Sequence, residues 1–202
     1  MSEQLFLVRH GETLHNVAGI AQGWQDSELS DRGQKQVQQL AQRIRFFAPD
    51  AIFSSPLGRA LTTAERIAEA TGLPITVLED LREMNYGAWE GKSFLDVRKT
   101  DLESYRRWMG EPGFPSPEGE SHDDVLTRMK RAFAAVSIAR RPVAVAHGTA
   151  NRIGATALLG APLSLAYNLA QDNACINHFI WRGDRCVLKV WNDTTHCVPS
   201  ES

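Results

Sequence analysis

The chain of 202 residues is poor in cysteine. Its three, Cys175, Cys186 and Cys197, are an odd number without metal-ligand spacing. A disulfide framework and a zinc cluster are both set aside on that ground, and the expectation is reduced thiols in a cytoplasmic protein. No apolar run approaches the ~20 residues of a membrane-spanning helix. The opening Met-Ser-Glu-Gln is polar and acidic, unlike a secretion signal. The Asn192-Asp193-Thr194 match to a glycosylation acceptor therefore carries no weight. Neither sign of charge dominates: 22 Lys+Arg against 24 Asp+Glu leave −2, with a pI near 6.3. Nucleic-acid binders show a broad basic field, and none is present here. Low-complexity tracts and linkers are also missing, so one domain over 1–202 is expected.

What the sequence does hold is a set of apolar runs that stop abruptly at polar residues. Leu5-Phe6-Leu7-Val8 runs into Arg9-His10-Gly11-Glu12, and Pro142-Val143-Ala144-Val145-Ala146 runs into His147-Gly148. Continuous apolar runs of this length suit strands covered on both faces, the parallel-sheet kind. A third, Ala51-Ile52-Phe53-Ser54, meets Ser55-Pro56 and opens a helix carrying Arg59 in its first turns. In open α/β sheets ligands lie beyond the carboxyl ends of the strands. Three such ends would deliver His10, His147, Arg9 and Arg59 to one crevice, with Gly11 allowing close backbone approach.

Between these runs the periodicity is helical. Val37, Leu40, Ala41, Ile44 and Phe47 follow Ser30 as a plausible N-cap, and a helix through about Ala70 closes at Thr71-Gly72. Pro74 to Leu78 reads as a strand. Helix-like material runs from about Ser93 to Met109, and a loop rich in proline and glycine follows from Gly110 to Gly119. Ser121 with Asp124 resembles a capping box ahead of Val125, Met129, Ala132, Phe133 and Val136. Ile176 to Trp181 and Cys186 to Trp191 flank Arg182-Gly183-Asp184 as a hairpin. Alternating strands and helices make the fold α/β, a three-layer α/β/α sandwich with a mostly parallel central sheet. The segment at about 86–120 stands out as a cap-like insertion over the crevice. Its aromatics, Tyr86, Trp89, Phe94, Tyr105, Trp108 and Phe114, read as internal packing, with loop-borne specificity as the alternative.

A histidine beside two arginines can be a core residue, a metal ligand or a nucleophile toward phosphorus. Guanidinium groups repel cations, and no His-x-x-x-His or Cys-x-x-Cys pattern is present. Phosphate fits better, because arginine offers a fixed fork of donors to its oxygens. Neutral imidazole can serve as a covalent catalyst. Small anionic ligands are the expected partners, with no nucleic acid and no membrane.

With its motifs in order, the chain resembles the histidine phosphatase superfamily, also called phosphoglycerate mutase-like proteins. The match is carried by Leu7-Val8-Arg9-His10-Gly11-Glu12-Thr13 with Asn16, and by Ser54-Ser55-Pro56-Leu57-Gly58-Arg59-Ala60 with Thr63-Ala64-Glu65. Leu81-Arg82-Glu83-Met84 leading to Tyr86-Gly87-Ala88-Trp89-Glu90-Gly91, then Pro117-Glu118-Gly119-Glu120-Ser121, Ala146-His147-Gly148 and Asn192-Asp193-Thr194, complete it. The resemblance implies a phosphoglycerate mutase-like fold, His10 as nucleophile and Glu83 as general acid. It implies phosphate held by Arg9, Gly11, Asn16, Arg59 and His147, and leaving-group contacts from Gln22, Gly23 and Tyr86. No cofactor and no metal are implied. The compact Gly-Ala-Trp-Glu-Gly segment resembles the small phosphatase branch, a phosphomonoester hydrolase of small phosphorylated metabolites working through phosphohistidine. A 2,3-bisphosphoglycerate-dependent phosphoglycerate mutase is the second reading, kept open by Arg106 and Arg107, and an inactive phospholigand-binding module is the third. Homodimers are common in the family, and no interface is marked in the sequence. His15 and His122 are expected to be solvated, His178 packed or at the surface, and His196 structural.

Overall fold

The computed structural model describes residues 3–197. Six strands form one sheet in the order β3-β2-β4-β1-β5-β6. They are β1 (Gln4–Arg9), β2 (Ala51–Ser54), β3 (Ile75–Val77), β4 (Pro142–Ala146), β5 (Ile176–Arg182) and β6 (Arg185–Asp193). The first four are mutually parallel; β5 and β6 join antiparallel as the expected hairpin. The apolar runs of β1 and β4 occupy the middle of the sheet, where both faces are covered. Alternation along β1 sends Leu5 and Leu7 to one core and Phe6 and Val8 to the other.

Helices close both faces. On one side α2 (Asp31–Phe46) contributes Leu40, Ala41 and Ile44, and α3 (Gly58–Thr71) contributes Ala60, Ala64 and Ile67. On the other, α6 (His122–Val136) supplies Val125, Met129 and Phe133, while α7 (Gly148–Leu159) supplies Ala150 and Ile153. The three-layer α/β/α sandwich follows from this division. Helix ends obey the local chemistry read from the sequence. Ser30 Oγ accepts from the Gly33 amide (3.0 Å), Gly72 ends α3 at φ +75°, and Ser121 and Asp124 form a reciprocal capping box.

Two boundaries differ from expectation. The strand expected over 74–78 is shorter, Ile75–Val77. Pro74 has no N–H to give the ladder, and after Leu78 the chain turns through a 3₁₀ segment, Glu79–Leu81. The helix expected over 93–109 is two, α4 (Phe94–Thr100) and α5 (Leu102–Gly110). They break at Asp101 (φ −145°, ψ 58°), whose carboxylate accepts from Trp89 Nε1 at 3.3 Å. A short helix, α1 (Leu14–Val17), follows the first strand exit.

Register decides what meets at the sheet edge. Arg9 pairs with Ala146, and Ser54 with Val145. The residues next in line, His10 and His147, therefore leave adjacent parallel strands at the same level, with Ser55 on the third strand one residue behind.

Candidate active site

At that edge lies a cavity of about 270 Å³. Arg9, His10, Asn16, Gln22, Gly23, Arg59, Glu83 and Tyr86 all line it. His147 stands behind His10, the two ring centroids 5.2 Å apart.

His10 is only 2% exposed. Its Nδ1 lies 2.7 Å from the Gly11 carbonyl, an atom that can only accept. Burial first, then the charges of Arg59 and Arg9, push its pKa well below 6.5, so the ring is neutral near pH 7. Its single proton therefore sits on Nδ1, and Nε2 carries a lone pair. The same forces keep His147 neutral, burial leading and Arg59 next. There the ring is tied by the other nitrogen, Nε2 lying 2.8 Å from Ser55 Oγ.

Arg59 is fixed by carbonyls of the 23–26 loop. Nη2 donates to Gly23 O (2.7 Å) and Nη1 to Gln25 O (2.8 Å) and Asp26 Oδ1 (3.1 Å). That loop is itself gathered by the Glu90 carboxylate, which accepts from the amides of Trp24, Gln25 and Tyr86. Arg9 Nη1 donates to the Gln171 carbonyl. Burial opposes the charge on both guanidiniums, and Glu83 is the largest influence restoring it.

Glu83 is 8% exposed and sits at the start of α7. Its oxygens accept from the amides of Met84 (2.9 Å), Thr149 (3.1 Å) and Ala150 (3.0 Å). A helix N-terminus offers such unpaired amides. Tyr86 locks the neighbouring wall, its hydroxyl 2.7 Å from Thr149 Oγ1.

Four buried atoms around this cavity have no partner among the described residues: Arg9 Nε, Arg59 Nε, Gln22 Oε1 and His147 Nδ1. Leaving a buried donor unpaired costs about 1–3 kcal/mol. The three nitrogens, gathered at one cavity, point to an oxygen-rich ligand that accepts from them, while Gln22 Oε1 accepts and calls for a hydroxyl.

Gly11 is placed differently from the rest. It does not line the cavity; its amide donates to Thr63 Oγ1 (3.1 Å) and its carbonyl holds His10. A methyl group at this position would meet Val37 Cγ1 at 2.5 Å, and one at Gly33 would meet the Glu12 carbonyl at 2.0 Å. Glycine at 11 lets α2 seat against the strand exit, and its backbone orients the nucleophile candidate without offering a donor to the cavity. Asn16 does line the cavity; its Oδ1 accepts from Thr13 N and Asn173 Nδ2, leaving the amide NH₂ as its remaining donor. Arg106 and Arg107 are exposed, and Arg107 pairs with Glu111 away from the cavity. His122, expected to be solvated, is 2% exposed and packs on Trp108 at 4.6 Å.

Sequence reading missed Ser55 as a partner of His147, and Arg152 and Gln171 as cavity walls. Arg152 lies one turn beyond Gly148 on α7, so helical spacing was the available signal. Gln171 comes from an irregular segment and had none.

The sequence model of the histidine phosphatase superfamily (branch 1) matches residues 5–194. The chain belongs to that superfamily. Among curated relatives, a probable phosphoglycerate mutase GpmB of Erwinia tasmaniensis is 34% identical, over 96% of this chain and 94% of its own. Among solved structures, a phosphoserine phosphatase mutant of Entamoeba histolytica with phosphoserine superposes with TM-score 0.88 at 30% identity, covering 98% of this chain and 100% of that one. A mycobacterial glucosyl-3-phosphoglycerate phosphatase complexed with VO₃ gives 0.87 at 30%, covering 95% and 99%. The histidine phosphatase fold is thus shared nearly end to end with phosphatases and mutase-like relatives alike, and the chain is an enzyme of that phosphatase and mutase group.

Proposed function

We propose that this histidine phosphatase hydrolyses small phosphomonoesters through a phosphohistidine at His10. The observation that carries the reading is the buried, neutral His10 ring with its proton committed to the Gly11 carbonyl at 2.7 Å. That bond aims an unprotonated Nε2 at the cavity. In the first step Nε2 forms a bond to phosphorus as the ester P–O bond breaks. The departing alkoxide takes a proton from Glu83, which enters this step as the carboxylic acid and regains its proton in the next. The imidazolium so formed keeps its Nδ1–H on Gly11 O, which is better satisfied as the ring becomes positive. In the second step the Glu83 carboxylate takes a proton from water, whose oxygen attacks phosphorus. The P–N bond breaks, its electron pair returns to Nε2, and inorganic phosphate leaves.

Arg9, Arg59, Asn16 and His147 surround the phosphoryl oxygens in this reading. Ser55 Oγ accepts from the Leu57 amide (3.3 Å) and has a proton to give to His147 Nε2, so that His147 carries its own proton on Nδ1. Donors fixed before the charge develops are the largest common source of rate. Two guanidiniums supply the positive charge that a metal ion would bring, the neutral His147 ring adds a hydrogen bond, and in this reading the reaction needs no metal. Gln22, Gly23 and Tyr86 border the leaving group, and the segment at 86–120 caps it.

A mutase would need cations for the carboxylate of a second phosphoglycerate. Arg106 and Arg107 lie on the outer surface, which favours water as the phosphoryl acceptor; Arg152 at the cavity is what supports the mutase alternative. The deciding assay is phosphate release from a panel of monoesters with a chelator present, including 3-phosphoglycerate with and without 2,3-bisphosphoglycerate. Release from several esters, unchanged by the chelator, is expected. Interconversion of 3- and 2-phosphoglycerate with little free phosphate would overturn the hydrolase reading. Glu83→Gln is expected to slow alkyl phosphates by about 10²–10⁴-fold and p-nitrophenyl phosphate far less, because that leaving group needs little protonation. Equal losses would make Glu83 a positioning group.

A further inference from the structure

A second cavity, of about 230 Å³, adjoins the first. The two share Phe94, Thr149 and Arg152 as walls. Beyond that wall the second is lined by Tyr105, Trp108, His122, Ile153 and Tyr167, from α5, α6, α7 and the 3₁₀ segment Leu163–Asn168. The aromatic rings of the insertion are well packed against one another. Trp108 meets Trp89 edge-on at 5.5 Å, stacks with Phe94 at 5.9 Å, and Phe94 meets Tyr86 edge-on at 5.2 Å. The space that remains lies on the side facing α7.

Two residues lining this space each hold a buried polar atom with no partner among the described residues: Trp108 Nε1 and His122 Nδ1. Trp108 is 5% exposed and His122 2%. An indole N–H can only donate, so its missing partner is an acceptor. His122 is neutral at pH 7: burial, with Arg152 second, lowers its pKa to about 4. The Arg152 guanidinium already donates from Nε to Gly148 O (3.3 Å) and from Nη2 to Thr149 Oγ1 (2.9 Å). Arg152 belongs to the wall shared with the first cavity, so its charge stands at the junction, and the rest of this lining is uncharged at neutral pH. Aromatic walls, a neutral imidazole and an indole donor suit a flat, uncharged ring. An apolar cavity of about 150 Å³ already holds a benzene ring.

We propose that this second cavity is the leaving-group subsite, and that the enzyme prefers phosphomonoesters whose alcohol ends in a neutral planar ring bearing a hydrogen-bond acceptor. The proposal rests on the phosphomonoesterase reading above. A short aliphatic link would cross the Phe94–Arg152 wall, leaving phosphorus at His10 and the ring against Trp108 and His122.

The test compares esters of matched leaving-group basicity: ethyl phosphate, a series of ω-phenylalkyl phosphates of increasing chain length, and the corresponding pyridylalkyl phosphates. For the best chain length, kcat/KM is expected to exceed that of ethyl phosphate by about tenfold or more. Ala166, which also lines the cavity, gives a filling variant, Ala166→Phe, in which that ratio should fall to near one. Trp108→Phe keeps the ring and removes the N–H; it should erase the preference for pyridyl over phenyl while retaining that for phenyl over ethyl. A wild-type ratio near one, or a ratio unchanged in both variants, overturns the subsite and leaves the hydrolase intact. Calorimetric binding of the phenylalkyl alcohol separates the two readings. Should no ester be hydrolysed, binding to the wild type and its loss in Ala166→Phe would uphold the cavity and sink only the hydrolase reading.

Discussion

The ends of β1 and β4 look alike in sequence, an apolar strand followed by His-Gly, and they lie side by side in register. Their histidines are nevertheless turned end for end. His10 is tied through Nδ1 to the carbonyl of the next residue, so it offers a lone pair. His147 is tied through Nε2 to a hydroxyl 92 positions away and leaves Nδ1 unpaired. In the mechanism proposed here one ring gives electrons to phosphorus and the other gives a hydrogen bond to its oxygens. A shared local pattern sets where each ring stands; the partner of its second nitrogen sets what it does.

The comparison breaks most visibly at the nucleophile. His10→Ala is expected to lower kcat on the order of 10⁵-fold and to abolish acid-labile phosphate incorporation. Persistence of either would remove His10 from that role. His147→Ala should cost about 10²–10³-fold yet still allow incorporation, since only a donor is lost. If incorporation vanished as well, the two rings would not be functionally distinct.

Acidification tests whether both rings are neutral. His10, His147 and His122 all have folded pKa values below the ordinary 6.5. The unfolded chain then takes up protons that the folded chain refuses. Stability is whole above about 6.5 and is lost as the pH falls below it. The thermal midpoint is expected to drop by several degrees between about pH 7 and pH 5, followed by circular dichroism. A flat profile would mean that the folded chain takes up these protons as readily as the unfolded one, so that the rings are not held neutral. The smallest effect sharpens the comparison: Ser55→Ala should cost about 1 kcal/mol of stability and roughly tenfold in kcat, with incorporation at His10 retained. Loss of incorporation would tie Ser55 to the nucleophile instead.

The sheet was readable because its central strands are uniformly apolar and end at charged residues, a pattern that burial on both faces imposes. Both hydrophobic helix stripes and three helix ends were readable for equally local reasons. Asp101 was harder, since breaking α4 from α5 depends on a bond to Trp89 as well as on the residue itself. Of the cavity residues, Arg9, His10, Arg59 and His147 follow from strand ends alone. Glu83 entered through resemblance, because what brings it to the cavity is a pair of amides at Thr149 and Ala150, far along the chain. His122 was misjudged for a similar reason: it begins α6, where exposure is usual, and Trp108 and Tyr167 cover it.

The seat beneath His10 is made of main chain. At Gly33 even one methyl group would collide with the carbonyl of Glu12, so at that point helix and strand exit meet main chain to main chain. A contact of that kind leaves no room for a side chain at Gly33 itself. Amino-acid change on the exposed face of α2 can alter its surface without re-aiming the nucleophile, while the aromatic insertion across the crevice, whose rings pack on one another, is open to revision. New substrates would be acquired on one side of the crevice while the chemistry stayed in place on the other.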